Sequence, residues 1–369
     1  MKTVFILGAG ASQAAGAPLM FDFMDRASRI QRRGESGWAK DSFACVNDAR
    51  KKLQVAYAKS SVDLDNIENL FSTFEMASLI GRLSDLPREV VEGLPGHLRF
   101  MIMRSLEKTI LYPINGDARI IAVPKYYDAF AQLIVELSKM RDVGPIAVIN
   151  FNYDLCLDYA LGLAGKTPYY SLESHEPQHD SIHLMKVHGS LNWSKTAASP
   201  GFEISRLKTL DMKTYWDRLG LDKPAERPID TMELMFGPDR WGEKLHPVPL
   251  IVPPTWNKGW YQEMLKPVWK AASAALSSAE NVFVIGYSLP PADQFFRSFY
   301  SLSTISDSII ERFWLFDPSP NPAVAERFKS LLGPAILGRD RFRHEQMKFP
   351  GAIKKIADQF GLDSHDLDT

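Results

Sequence analysis

The sequence predicts an α/β fold, a Rossmann-like doubly wound parallel sheet with a large helical insertion. Three observations predict it. Residues 4–7, Val-Phe-Ile-Leu, read as a buried parallel strand, and Gly8-Ala9-Gly10 then turns the chain sharply. From residue 146 onward, short apolar runs alternate with stretches of helical periodicity, the rhythm of strands joined by crossover helices. Each run ends in polar or glycine-rich text, and ligands of open parallel sheets bind beyond the carboxyl ends of the strands.

The elements follow in order. After the first turn, Ser12 and the small residues beyond it open a helix, and residues 20–145 read as the helical insertion. Asp65 and Glu68 form a capping-box-like start. Ile67, Leu70, Phe71 and Phe74 then share one helix face. Pro87, Gly93, Pro95 and Gly96 read as a connection, after which helix resumes over 97–111. Phe130, Leu133, Ile134 and Leu137 mark another amphipathic helix, leading through Gly144 and Pro145 into a strand at 146–149. Helix is expected over 154–163 and strand over 182–187. Residues 194–247 mix charges, prolines and scattered aromatics and read as a loop-rich excursion with little core of its own. A strand at 250–252 is stopped by Pro253 and Pro254. Trp260, Met264, Leu265, Val268 and Ala272 form a helix face. Strands at 281–285 and 313–316 end in Gly286 and in Asp317-Pro318. Asn321 caps a helix with Pro322 at its first position. Residues 336–369 read as a short C-terminal tail.

Composition narrows the function classes. The 369 residues are 45% hydrophobic and 24% charged, ordinary for a globular protein with a real core. A net charge of -1 gives no electrostatic case for nucleic acid or an anionic membrane. No apolar run approaches the roughly 20 residues of a membrane span. Cys45 and Cys156 are too few for a disulfide framework or a four-cysteine zinc site. With no signal peptide at the N-terminus, these features lead to the expectation of a cytoplasmic protein.

The chemistry sits at the strand ends. A glycine turn feeding a helix aims backbone N–H groups at one spot, which suits a pyrophosphate. The spacing is not that of a dehydrogenase, because Gln13 stands where the third glycine of G-x-G-x-x-G belongs. Asn152 and Asp154 bring an amide and a carboxylate to the rim of the sheet; the alternative is that Asn150, Asn152 and Asp154 cap the next helix. His188 precedes Gly189 at a strand end, a setting that suits a general base; the alternative is a loop histidine. Gly286 permits close approach of a nucleotide, Ser288 offers a hydroxyl to phosphate or ribose, and Asp317 offers a carboxylate to ribose hydroxyls. Each of these also fits a plain turn. His175-Glu176-Pro177-Gln178-His179 matches H-E-x-x-H in letters only. Pro177 disfavours the helix that motif requires, so a solvated loop and no metal are expected.

In this order, the five segments resemble the sirtuin superfamily: a GAG-x-S loop, a T-Q-N-x-D-type motif, a His-Gly, a G-T-S-type loop and a late ribose-binding strand end. The resemblance covers roughly residues 1–335 and implies one NAD-binding catalytic domain. It places Asn152, His188 and Asp154 in catalytic positions. Gly8, Ala9, Gly10 and Ser12 match the phosphate loop, Gly286 and Ser288 the second NAD loop, and Asp317 the adenosine end. The sequence departs from sirtuin deacylases at Leu19-Met20-Phe21, at Asn150-Phe151, and in the lack of cysteine after His188. Asn-Tyr-Asp, His-Gly-Ser, and Gly-Tyr-Ser before Asp293 look more like the bacterial sirtuin-like domains of antiphage defence.

What the resemblance implies is an NAD glycohydrolase, with NAD as substrate and no metal, acting as a regulated effector that depletes NAD. Asn152 would hold a ribose hydroxyl or the attacking water, His188 would take a proton, and Asp154 would bind the nicotinamide amide or order the loop. Homo-oligomerisation, or a partner such as a HerA-like ATPase or a phage-derived activator, is the expected control. Two alternatives remain open: an NAD-dependent deacylase or ADP-ribosyltransferase, and a non-catalytic NAD or ADP-ribose sensor or assembly subunit.

Overall fold

The computed structural model of the chain describes residues 2–55, 63–115, 120–172, 176–195, 202–210, 226–237, 248–252, 259–290, 293–306 and 308–363. Two compact units emerge. The first comprises Met1–Ala15, Ala122–Gly189 and Lys258–Thr369; the second comprises Gly16–Ile121 and Ser190–Asn257. The strands are β1 Thr3–Leu7, β2 Leu111–Asn115, β3 Ile120–Ile121, β4 Ile146–Asn150, β5 Thr167–Tyr169, β6 Ser181–Lys186, β7 Gly189–Lys195, β8 Phe202–Ile204, β9 Glu226–Pro228, β10 Pro249–Ile251, β11 Asn281–Ile285, β12 Arg312–Phe316 and β13 Phe342–Glu345.

The first unit is a seven-stranded parallel sheet in the order β13-β12-β11-β1-β4-β6-β5. β1 and β11 are buried along their whole length, as expected of strands covered on both faces. Phe5, Phe283 and Trp314 lie side by side in register on one face. There the edge of Phe130, from helix Lys125–Lys139, meets Phe5 at 5.2 Å, and Phe360 meets Phe283 at 6.1 Å. Phe313, on the other face, packs against Tyr300 and Phe328, from helices Gln294–Ser303 and Ala323–Lys329. The sheet is therefore doubly wound. The chain leaves β1 for β4 on one side and returns to β11 on the other, so the topological switch point lies at β1.

Residues 336–369, expected as a tail, contribute to this unit instead. β13 is the edge strand of the sheet, and helix Phe349–Gln359 buries Phe349, Ala352, Ile353, Ile356 and Ala357. Residues 364–369 lie outside the described residues.

The second unit is helical where the insertion was expected, with helices Phe23–Arg32, Lys40–Val55, Ile67–Ile80 and Arg88–Thr109. Three expectations are corrected there. Pro87 is the N-cap of Arg88–Thr109, and that helix runs through Gly93, Pro95 and Gly96 without a break. Burial of Val91, Leu94, Leu98 and Met101 along it outweighs the local cost of glycine and proline. The cap of Ile67–Ile80 is Asn66, whose side chain accepts from the Glu68 and Asn69 N–H groups, and not Asp65. The excursion at 194–247 has core of its own: Leu210, Ile229, Met232, Leu234 and Met235 are buried. β9 pairs with β2, and the 250–252 run, as β10, joins β7 and β8 in a separate three-stranded sheet. Residues 196–201, 211–225, 238–247, Pro253 and Pro254 lie outside the described residues.

A buried charge cluster ties that segment to the long helix. Arg104 Nη1 donates to Glu107 Oε2 at 3.1 Å and to Asp230 Oδ1 at 2.7 Å, and the Thr231 N–H donates to Glu107 Oε1 at 2.8 Å. Burial, and then the like charge of Asp230, push the Glu107 carboxyl from its ordinary 4.5 up to about 7, against the pull of Arg104. The folded state therefore binds this proton more tightly than the unfolded chain does. The stabilising contribution of Glu107 is complete below about pH 4.5 and is lost as pH rises through about 7. Urea unfolding at pH 5 and pH 8 is expected to show this loss in the wild type and a smaller one in Glu107→Gln.

Candidate functional site at the strand ends

Register brings the expected segments to one edge of the sheet. Leu7 pairs with Asn150 and with Ile285, Asn150 pairs with Lys186, and Ile285 pairs with Phe316. The residues that follow each of these, in five adjacent parallel strands, leave the sheet at the same level.

The glycines serve a packing role. The Gly8 N–H donates to Ile285 O and the Gly10 N–H to Gly286 O, at 3.0 and 2.9 Å. A Cβ on Gly8 would stand 2.5 Å from Tyr287 Cα, and one on Gly10 would stand 2.8 Å from Gly286 Cα. Gly286 has φ +65°, and its Cβ would stand 2.4 Å from the Ala11 nitrogen. Glycine is required because two backbone turns touch here. The N–H groups of Gly8 and Gly10, expected to aim at a pyrophosphate, donate instead to the last residue of β11 and to the glycine after it. The helix, expected to open at Ser12, instead runs over Ala9–Gln13 with Gly8 as N-cap. Ala9 and Gly10 remain half-buried.

Ser12, Asn152, Asp154 and Gly8 form one buried network. Asn152 Nδ2 donates to Gly8 O and to Ser12 Oγ, both at 2.9 Å. Ser12 Oγ donates to Asp154 Oδ2 at 2.6 Å, and Tyr127 Oη lies 2.7 Å away. Ser12 is 1% exposed, so its hydroxyl points into the protein and not outward. The three polar residues after β4 divide their labour. Asn150 Oδ1 accepts from the Asn152 N–H, Asp154 Oδ1 accepts from Cys156 N at the start of helix Cys156–Leu163, and Asn152 turns back to the first loop. Both Asp154 carboxylate oxygens are thereby engaged within this network.

Beneath the loop, Lys186 Nζ donates to Asp154 O at 2.6 Å and pairs with Asp158 Oδ2 at 3.0 Å. Tyr170 Oη donates to Asp158 Oδ1 at 2.7 Å. Nothing in the sequence reading singled out this cluster, although a lysine inside the run Leu184-Met185-Lys186-Val187 was a signal: a charge in a buried strand requires a partner.

His188 is 5% exposed and sits edge-on to the Phe151 ring, with centroids 4.9 Å apart at 90°. Phe151 in turn stacks on Tyr287 at 4.1 Å and 12°. Tyr287 Oη donates to the buried Asp293, whose other oxygen accepts from Phe296 N. Aromatic packing thus links the histidine to the loop after β11. Ser288 is exposed, and its carbonyl accepts from Arg327 Nε and Nη2 at 3.0 and 2.8 Å. Asp317 Oδ1 accepts from the Ser319 N–H, a turn contact, and its charge opposes the lowering of the Arg327 pKa by burial. Arg327 and Tyr127 carried no signal in the sequence.

Among the described residues no group of three or more histidine, cysteine or acidic side chains is placed to hold a metal ion, and no helix is long and apolar enough to cross a membrane. Of the H-E-x-x-H letters, His175 lies outside the described residues, and Glu176 to His179 are in no helix.

No protein-family model matches the sequence, and no curated protein matches it. Among solved structures the chain is similar to Sir2Tm bound to a propionylated peptide, at 13% identity and a TM-score of 0.41, over 98% of this chain and 94% of that one. It is similar to a Sir2 homolog–NAD complex at 12% identity and a TM-score of 0.41, over 100% of this chain and 90% of that one. A Sir2 complex with an inhibitor, 2'-O-acetyl-ADP-ribose and a deacetylated p53 peptide scores 0.37 at 13% identity, over 98% and 95% of the two chains.

Proposed function

We propose that the protein is an NAD glycohydrolase, cleaving NAD with water to nicotinamide and ADP-ribose. What supports this reading is the placement of Asn152, with its amide held by Gly8 and Ser12, and of the nearly buried His188, each two residues beyond the paired ends of the adjacent parallel strands β4 and β6. NAD enters as substrate over Ala9 and Gly10, with Ser288 on the second NAD loop and Asp317 toward its adenosine end.

The bond between nicotinamide and ribose breaks through an oxocarbenium-like state, as in glycoside cleavage. Asn152 holds a ribose hydroxyl or the attacking water through its Oδ1. His188 accepts the proton that the water or hydroxyl gives up. Binding of the nucleotide remote from the broken bond aligns the reacting carbon. Hydrolysis is favoured over deacylation by the lack of any cysteine after His188 to build the zinc module of the acyl-peptide cleft.

An unregulated enzyme of this kind depletes its own cell of NAD. The role we propose is a cytoplasmic effector of bacterial antiphage defence, controlled by self-assembly or by a partner such as a HerA-like ATPase or a phage-derived activator.

Pure protein incubated with NAD is expected to release nicotinamide and ADP-ribose in equal amounts, resolved by chromatography. His188→Ala is expected to lower that rate by about 10²–10⁴-fold, the usual contribution of a general base. Tight ADP-ribose or NAD binding without consumption would instead identify a sensor or assembly subunit. Product ratios that change with an acceptor peptide would identify a transferase.

A further inference from the structure

A hydroxyl has one proton to give and two lone pairs to fill. Ser12 Oγ has three partners: Asp154 Oδ2, Asn152 Nδ2 and Tyr127 Oη. The carboxylate oxygen accepts, so it takes the Ser12 proton. Nδ2 donates, so it fills one lone pair. Tyr127 must then donate to the other. Burial, and next the Asp154 charge, raise the Tyr127 pKa well above its ordinary value, which keeps the proton on the phenol.

The consequence reaches Asn152. Both protons of its Nδ2 are spent, one on Gly8 O and one on Ser12 Oγ. Turning the amide over would set Oδ1 against the Gly8 carbonyl oxygen, so the orientation is fixed by the network. Asn152 therefore presents Oδ1, an acceptor, to whatever binds beside it. Tyr127 is 1% exposed, and its ring is held edge-on by Phe349 at 5.3 Å, so the phenol is itself a rigid reference point.

We propose that Tyr127 is a positioning residue for the reaction: its phenol holds the Ser12 hydroxyl and sits beside the Asn152 side chain, and so fixes the direction in which Asn152 presents its carbonyl oxygen. This rests on the reading of Asn152 as the group that holds the ribose hydroxyl or the attacking water. Without the phenol, Ser12 keeps two of its three partners beside a void the size of one oxygen atom, and the acceptor that orients Asn152 loosens.

Tyr127→Phe keeps the ring and its packing and removes only the hydroxyl. The kcat for NAD cleavage is expected to fall about 10-fold, with KM within about 2-fold of wild type. Ser12→Ala is expected to lower kcat at least as far, and the double variant by less than the product of the two losses, because the phenol and the Ser12 hydroxyl act on the same Asn152 amide. A crystal structure of Tyr127→Phe, which needs no turnover, is expected to show the Asn152 amide shifted or divided between two orientations. An Asn152 amide that stays in place in the variant overturns the proposal. So does an unchanged kcat, and so do losses that add in the double variant. A wild-type protein that releases no nicotinamide, with Asn152 displaced in the variant, removes the NAD reading while the positioning role stands.

Discussion

Asn152→Ala is expected to lower NAD turnover by about 10²–10³-fold, the effect of removing one preorganised group at the reacting centre. Asn152→Asp is expected to do no better, although it is isosteric. The wild-type amide donates twice, to Gly8 O and Ser12 Oγ, which leaves its oxygen as the acceptor. A carboxylate has no proton to donate to either partner and sets an oxygen against the Gly8 carbonyl. Steady-state nicotinamide release measures the effect. Asn152→Asp is also expected to unfold at lower urea than Asn152→Ala, because it buries a charge among oxygens. If Asn152→Asp retains more activity than Asn152→Ala, the amide does not act as a fixed acceptor.

The largest stability effect is expected at Lys186. Its ammonium and the Asp158 carboxylate are both 0% exposed, and the pair is completed by Tyr170 and by the Asp154 carbonyl. Lys186→Ala leaves Asp158 buried without its counter-charge, which costs about 3–5 kcal/mol. Urea unfolding of the sheet unit measures that loss. Lys186→Met combined with Asp158→Leu and Tyr170→Phe removes both charges and the phenol that would otherwise be left unpaired, and is expected to recover a large part of it. If the single variant unfolds like wild type, the ion pair carries no stability. NAD turnover is expected to fall in Lys186→Ala as well, since the Asp154 carbonyl loses the donor that holds its loop beneath Asn152.

Much of the sheet was legible because buried parallel strands are continuous apolar runs with polar ends. The run 281–285 coincides with β11, and the runs at 146–149, 182–187 and 313–316 fall within a residue of β4, β6 and β12. The helix face of Phe130, Leu133, Ile134 and Leu137 is buried throughout. Local rules misled where packing outweighed propensity. Gly93, Pro95 and Gly96 suggested a break, yet they lie inside a 22-residue helix. The 250–252 run reads like any other buried strand, but it pairs with β7 and β8 and not with the parallel sheet. Which sheet a short apolar run joins depends on its neighbours in space, and nothing in its own composition encodes that.

At the site the division is sharper. Asn152, Asp154, His188 and the glycines could be picked out along the chain, because their types and their places after apolar runs are one-dimensional facts. The purpose of the glycines could not, since the contact of Gly10 with Gly286 joins loops about 276 residues apart, and only the β1–β11 register brings them together. Tyr127 and Lys186 entered only with the fold. A tyrosine on an amphipathic helix and a lysine in a strand acquire meaning from the hydroxyl, amide or carboxylate opposite them. The order of the elements follows from local hydrophobic periodicity, which each segment carries within itself. The direction of each buried hydrogen bond follows from the partner that packing supplies, because a buried polar group must be satisfied by whatever lies within about 3 Å of it.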